Sequence, residues 1–162
     1  MATGYGVKKR NKLAKQQRSR VININLPVLH APQRKILSIN DDGKLDMEKY
    51  HRFVVCACGR RFGKSLMQAH FLSTPMIEGG LPVAYFVPDY KRMTEFWDII
   101  INLFGEGIET GGAIIRSNMQ ERLIKIANGG SIEMWTCEDE NAGVSRKYFR
   151  VGIDEAALIP QM

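Results

Sequence analysis

Apolar residues recur along this chain in two rhythms, and the segments that carry them alternate. Met93, Phe96, Trp97, Ile100, Ile101 and Phe104 follow a 3.6-residue period and predict an amphipathic helix, with Trp97 as a core anchor rather than a stacking platform. Tyr50–Ala57 has little polar alternation and predicts a first core strand buried on both faces. Pro82–Val87 is a second apolar strand, and Tyr148–Ile153 is the last one. Between them, Ala113–Ser117 and Arg122–Ala127 read as strands. Ser131–Thr136, with Ile132 and Met134 on one face, returns after the Asn128-Gly129-Gly130 turn to make a hairpin. Lys64 to about Phe71 predicts a helix offering Leu66, Met67, Ala69, His70 and Phe71 to the core; Pro75 ends or kinks it, and Gly79-Gly80 closes the segment. Nearer the N-terminus, Val21–Leu26 alternates as a short strand or extended arm. Pro32 fits the first turn of a helix within Leu29–Leu37, and Asp41-Asp42-Gly43 reads as a turn. Glu138–Ser145 is polar, a loop or short helix. The β-α-β order predicts an α/β fold with a parallel sheet flanked by helices.

Composition narrows the class. A chain of 162 residues with 44% hydrophobic content has room for one domain with a real core. It holds no run of about 18 apolar residues, so no transmembrane helix is expected, and its basic N-terminus lacks the apolar stretch of a secretory signal. Three cysteines, Cys56, Cys58 and Cys137, suit a reduced, intracellular setting. Cys56 and Cys58 share a strand face and read as small packed side chains rather than metal ligands, since no matching Cys/His pair follows. Charge is uneven. Residues 1–20 carry seven basic side chains (Lys8, Lys9, Arg10, Lys12, Lys15, Arg18 and Arg20) and no acidic one, and taking those seven from the net +6 leaves the remainder at −1. Such a tail, disordered alone, either neutralises phosphates on nucleic acid or serves only solubility.

Chemistry concentrates at Cys58-Gly59-Arg60-Arg61-Phe62-Gly63-Lys64-Ser65. An apolar run precedes it and a predicted helix follows it. Strand, glycine-bearing turn, Lys-Ser and helix together make a phosphate-binding loop. Its inward N–H groups and the helix N-terminus cradle phosphate, Lys64 reaches the outer phosphates, and the Ser65 hydroxyl can ligate magnesium. Cys58 stands where the usual G-x-x-x-x-G-K-[ST] pattern begins, and the glycine, Gly59, comes one residue late.

A second motif is Phe149-Arg150-Val151-Gly152-Ile153-Asp154-Glu155. Its strand delivers two carboxylates at its C-terminal end, where ligands gather in open α/β sheets. In a phosphate-loop ATPase, Asp154 would hold the magnesium shell and Glu155 would orient and deprotonate the attacking water. Phosphoryl transfer also needs positive charge near the γ-phosphate. Arg60 is the first candidate, Arg61 the second, and Arg146 could reach a neighbouring subunit's nucleotide. Gln33 can pair with the adenine edge through one donor and one acceptor, which would select ATP over GTP.

These residues in this order resemble the ATPase domain of the large terminase subunit of tailed bacteriophages. Pro32-Gln33 is similar to that family's adenine-recognising motif, and Gly59–Ser65 to its arginine-bearing phosphate loop. Phe86–Tyr90 with Trp97 resembles its second strand and helix, Asn128–Ile132 its hairpin, and Val151–Ala157 its magnesium and catalytic-glutamate strand. The resemblance implies a P-loop NTPase fold of the RecA-like kind and a Mg2+-dependent ATPase that packages viral DNA into a procapsid. Its site residues would be Gln33, Gly59, Arg60, Arg61, Phe62, Gly63, Lys64, Ser65, Asp154 and Glu155, with the family's cis arginine at Arg60 and a trans arginine suggested at Arg146. It implies ATP and Mg2+ as ligands, and as partners double-stranded DNA, the portal and procapsid, the small terminase subunit and copies of itself in a ring. The setting would be the host cytoplasm, transiently on the procapsid, with no membrane. Residues 1–20 are then a basic tail, and 21–162 the N-terminal part of the ATPase domain, ending before a coupling strand and a nuclease domain. Without that strand the sheet is expected either to show a gap between the strands ending at Cys58 and Asp154 or to pair them directly. The alternatives are a helicase-like or other DNA-translocating ATPase, and a non-catalytic DNA- or capsid-binding fragment.

Overall fold

The computed structural model describes residues 24, 26–105, 111–139 and 141–158; the basic tail 1–20 and most of the predicted arm at 21–26 lie outside the described residues. In chain order the elements are α1 (Ala31–Ile36), α2 (Lys64–Gly79), β1 (Pro82–Val87), α3 (Tyr90–Phe104), β2 (Ile114–Asn118), β3 (Leu123–Ile126), β4 (Ser131–Thr136) and β5 (Arg150–Ile153). One five-stranded sheet runs in the order β2-β3-β4-β1-β5. β1 is parallel to both neighbours, β4 and β5, whereas β3 is antiparallel to β2 and to β4. The sheet is therefore mixed rather than parallel throughout. Short turns join β2 to β3 and β3 to β4, and such turns can only return a strand antiparallel; a parallel neighbour needs a crossover.

Alternation along the strands sets the core. Val83, Tyr85 and Val87 of β1 and Ile132 and Met134 of β4 point to one face, where Ala69, Leu72 and Met76 of α2 and Met93, Phe96, Trp97, Ile100 and Phe104 of α3 cover them. The period-3.6 residues of α3 are thus the buried ones, apart from Ile101, which packs at the margin. Asp89 caps α3 by accepting the N–H of Arg92 at 3.0 Å, and its carboxylate also pairs with the Arg92 guanidinium. No helix among the described residues is long and apolar enough to cross a membrane.

Two expectations fail for identifiable reasons. Pro75 does not end its helix: α2 runs 16 residues, from Lys64 through Pro75 to Gly79. Proline denies the carbonyl of Phe71 its usual donor. Here the Arg150 guanidinium, at the start of β5, donates to that carbonyl at 2.8 Å and stacks over the Phe71 ring at 4.7 Å. The helix then stops at Gly80, whose left-handed φ of 62° suits a C-cap, and Asn128 donates to the terminal carbonyls of Met76 and Ile77 at 2.8 and 2.7 Å.

The second failure is the predicted strand at Tyr50–Ala57. It forms no strand, and Phe53 and Val55 are 82% and 99% exposed. Strand geometry needs a paired neighbour, and β5, the strand on this side of the sheet, ends it instead. Val151 and Ile153 of β5 are exposed on the open edge. Neither of the two arrangements expected is observed: segment 50–57 forms no strand, so the sheet has an open edge at β5 rather than an internal gap. Direct pairing of the segment before the loop with the strand that carries Asp154 does not occur.

Candidate functional site

The glycine-bearing loop and the two carboxylates meet at one cleft. It has a volume of about 320 Å³ and is lined by Gly59, by Arg61 through Leu66, and by Asp154 and Glu155. One wall is the N-terminus of α2. Its N-cap is Gly63, in the left-handed region at φ 80°, and without a side chain it offers the helix no cap. The first amides of a 16-residue helix are thereby left to whatever occupies the cleft, and an anion is the favoured occupant.

The loop is held from behind. Gln33 of α1 is 4% exposed, so it is not a surface glutamine. Its Nε2 donates to the carbonyls of Phe62 and Gly63 at 3.0 and 3.2 Å, and its Oε1 accepts the N–H of His30 at 3.1 Å. The His30 ring adds an Nε2 contact to the Phe62 carbonyl at 3.2 Å and meets the Phe62 ring edge-on at 4.9 Å. A Cβ at Gly63 would lie 2.9 Å from Gln33 Nε2, so the glycine also permits this approach. Both amide hydrogens of Gln33 are committed to the loop. In this structure it braces the loop, and the base-reading role expected of it would require releasing those carbonyls.

The opposite wall comes from the end of β5. The Asp154 N–H donates to the carbonyl of Phe86 at 2.9 Å, the last rung between β5 and β1. Glu155 then leaves the strand in the left-handed region at φ 49°, a conformation that a residue with a side chain adopts only under constraint. The turn brings the Glu155 carboxylate to 3.9 Å from the Lys64 ammonium. Asp154 is hydrogen-bonded at both oxygens: Oδ1 accepts the Glu155 N–H at 3.0 Å, and Oδ2 accepts the Tyr85 hydroxyl at 3.0 Å. Burial, followed by the neighbouring Asp154 charge, pushes the Tyr85 hydroxyl far above the usual phenol range, so it acts as a donor.

The cleft brings together Gly59, Arg61, Phe62, Gly63, Lys64, Ser65, Asp154 and Glu155 as expected from sequence. Arg60 does not line it; Arg61, in the left-handed region at φ 64°, is the loop arginine that does. Arg146 lies elsewhere. Its Nε is 3.6 Å from Glu133 of β4, which also accepts the Tyr148 hydroxyl at 2.6 Å, while Trp135 donates to Tyr148 at 2.9 Å. Leu66, expected in the core, is exposed and forms part of the cleft rim. The residues that sequence reasoning passed over are Tyr85 and Arg150. Tyr85 carried a faint signal, as a hydroxyl within the apolar run Val83–Val87 that must find a partner if buried.

The donor set suits a hard divalent cation. Ser65 and Asp154 put a hydroxyl and a carboxylate oxygen on one cleft, and magnesium takes one or two protein oxygens, completing its shell with phosphate and water. Among the described residues no group of three or more His, Cys, Asp or Glu could hold a metal by itself, and Cys56, Cys58 and Cys137 are free cysteines.

No protein-family model matches the chain, and no solved structure matches it. In sequence it is similar to the terminase large subunit of Escherichia phage T5, with 27% identity over 130 residues. That match covers 80% of this chain and 27% of the relative, so the chain spans about a quarter of the length of the protein it resembles. The chain is thus related in sequence to a terminase large subunit, and its fold is α/β with a mixed five-stranded sheet flanked by helices.

Proposed function

We propose that this chain binds ATP with Mg2+ and hydrolyses it as the ATPase part of a viral DNA-packaging motor. The observation that carries the reading is the meeting of Lys64 and Ser65, at an uncapped helix N-terminus, with Asp154 and Glu155 in one cleft. Cation, hydroxyl and free helix amides on one side and two carboxylates on the other are what phosphoryl transfer from a magnesium nucleotide requires. The DNA-packaging part rests on the similarity to a terminase large subunit. Double-stranded DNA and a procapsid are the partners that follow from it.

Each residue then has a task. The α2 amides and Lys64 hold the outer phosphates. Ser65 and Asp154 hold the metal, which when bound supplies positive charge to the phosphate oxygens. Glu155 orients water and takes its proton, and it becomes available once phosphate draws Lys64 away from it. Arg61, on the cleft, is placed better than Arg60 to meet charge on the transferring group. Gln33 and His30 keep the loop carbonyls turned outward so that its N–H groups face in.

The test is hydrolysis of ATP in Mg2+, with and without double-stranded DNA, by the wild-type chain and by Glu155→Gln. Loss of turnover in the variant, on the order of 10²-fold or more, is expected for removal of a general base. Undiminished turnover would overturn the role given to Glu155.

A further inference from the structure

Tyr85 has no place in the loop or in the carboxylate motif, yet its hydroxyl donates to Asp154 Oδ2 at 3.0 Å. We propose that Tyr85 is a positioning residue for the metal-binding carboxylate, fixing the plane and direction of Asp154 from inside the sheet. The inference rests on the reading of Asp154 as a magnesium ligand given above.

Register explains how the contact arises. Tyr85 of β1 stands opposite Gly152 of β5, and Asp154 is two residues further along the same face. That diagonal is within reach of an aromatic side chain. Gly152 keeps the diagonal open: a Cβ there would fall 3.4 Å from Tyr85 Cδ2, 3.2 Å from Leu72 and 2.5 Å from Gln68 Oε1. The ring itself cannot swing. It is 1% exposed and stacks on Phe96 with centroids 3.6 Å apart and planes 16° from parallel.

Packing alone would be served equally by phenylalanine, which fills the same slot without burying a hydroxyl. A buried hydroxyl is unfavourable unless bonded, and here the acceptor is the carboxylate. Together with the Glu155 N–H on Oδ1, the phenol holds the Asp154 carboxylate by both oxygens. Each oxygen keeps a further lone pair for a cation. Groups in this outer position commonly set metal affinity by 10- to 100-fold.

The experiment is Mn2+ binding to the full chain in the presence of saturating ADP, followed by the electron paramagnetic resonance of free Mn2+. Wild type is compared with Tyr85→Phe, Phe96→Leu and Asp154→Asn, and metal-free ADP affinity is measured alongside. Tyr85→Phe is expected to weaken Mn2+ about 10-fold or more and to leave metal-free ADP affinity unchanged, because it does not touch the loop. Phe96→Leu removes the stacked ring but keeps the hydroxyl, and should lower thermal stability while leaving Mn2+ affinity within about twofold, since it spares the outer-position donor. Unchanged Mn2+ affinity in Tyr85→Phe, or an equal loss in Phe96→Leu, overturns the proposal. If Asp154→Asn binds Mn2+ as wild type does, the reading of the metal site fails with it; if only Asp154→Asn loses the metal, that reading stands and the role of Tyr85 falls.

Discussion

Lys64 and Glu155 face one another at 3.9 Å, the first residue of α2 against the first residue beyond the Asp154 carboxylate. The two come from separate parts of the chain, and each occupies the partner that a nucleotide would need. On the reading proposed above, a bound phosphate and Glu155 would compete for the same ammonium group. Removing the carboxylate charge relieves that competition. Glu155→Gln is expected to bind ATP at least as tightly as wild type while losing turnover, and Lys64→Ala is expected to lose binding itself. Nucleotide affinity by fluorescence anisotropy, set beside turnover, separates the two effects.

Gln33 offers a discrimination test. As a brace it acts on the loop whatever base is bound, so Gln33→Ala should weaken ATP and GTP by the same factor. A base-reading glutamine would instead lose the preference between them. The variant also removes one donor each from the carbonyls of Phe62 and Gly63, which keep the His30 ring and the Met67 N–H as partners, and the acceptor of the His30 N–H, a destabilisation of about 1 kcal/mol. Competition binding with both nucleotides, together with a denaturant melt, measures each part.

Gly63 is constrained twice, by its left-handed φ of 80° and by the 2.9 Å a Cβ would leave to Gln33. Gly63→Ala should lower stability and nucleotide affinity together. Pairing it with Gln33→Ala, which opens the space but leaves the backbone strained, should recover only part of the loss. A double-mutant cycle in urea gives the shared fraction.

Arg150 and Pro75 form a separate pair. Arg150→Ala leaves the Phe71 carbonyl without its donor and should destabilise the fold by about 1–3 kcal/mol. Pro75→Ala supplies a backbone N–H that can reach the same carbonyl. The double variant should then be more stable than Arg150→Ala alone. Equal stability of the two would show that the guanidinium acts through stacking on Phe71 instead.

Asp89 gives a pH signature. The Arg92 N–H and, less strongly, the Arg92 charge hold its carboxyl below the usual value of 3.8. A carboxyl lowered on folding stabilises the native state above its unfolded value, and that contribution disappears as pH falls through the folded value. Asp89→Ala should therefore melt at a lower temperature than wild type near pH 7. The difference should close as pH drops below about 3.8, the carboxyl value in the unfolded chain. Melting curves across pH 2 to 7 test the sign.

Much of the architecture was written in short-range patterns. The stripe from Met93 to Phe104 gave α3, and the Asn128-Gly129-Gly130 turn gave β3 and β4, because neighbours in sequence fix those elements. The Lys-Ser and Asp-Glu pairs were legible for the same reason. What could not be read depended on residues distant in sequence. Pro75 sits within a helix because Arg150 arrives from β5. Tyr50–Ala57 has the composition of a buried strand but pairs with no strand among the described residues. Gln33 turns inward onto the carbonyls of Phe62 and Gly63, 29 and 30 residues away in sequence, and a glutamine read alone gives no hint of that. Tyr85 met Asp154 through sheet register, which one strand's sequence does not contain.

The open edge at β5 has a mechanical consequence for catalysis. No β ladder joins the segment 53–58 to the strand that carries Asp154, so the two walls of the cleft are not parts of one rigid plate. Among the described residues, the packing of α2 on β5, the Arg150–Phe71 hydrogen bond, the Gln33 brace and the Lys64–Glu155 ion pair set their separation. A nucleotide spanning both walls would be the keystone of the arrangement, and its hydrolysis would release the two halves from a fixed spacing. Chemistry and movement would then share one coordinate, the distance across the cleft.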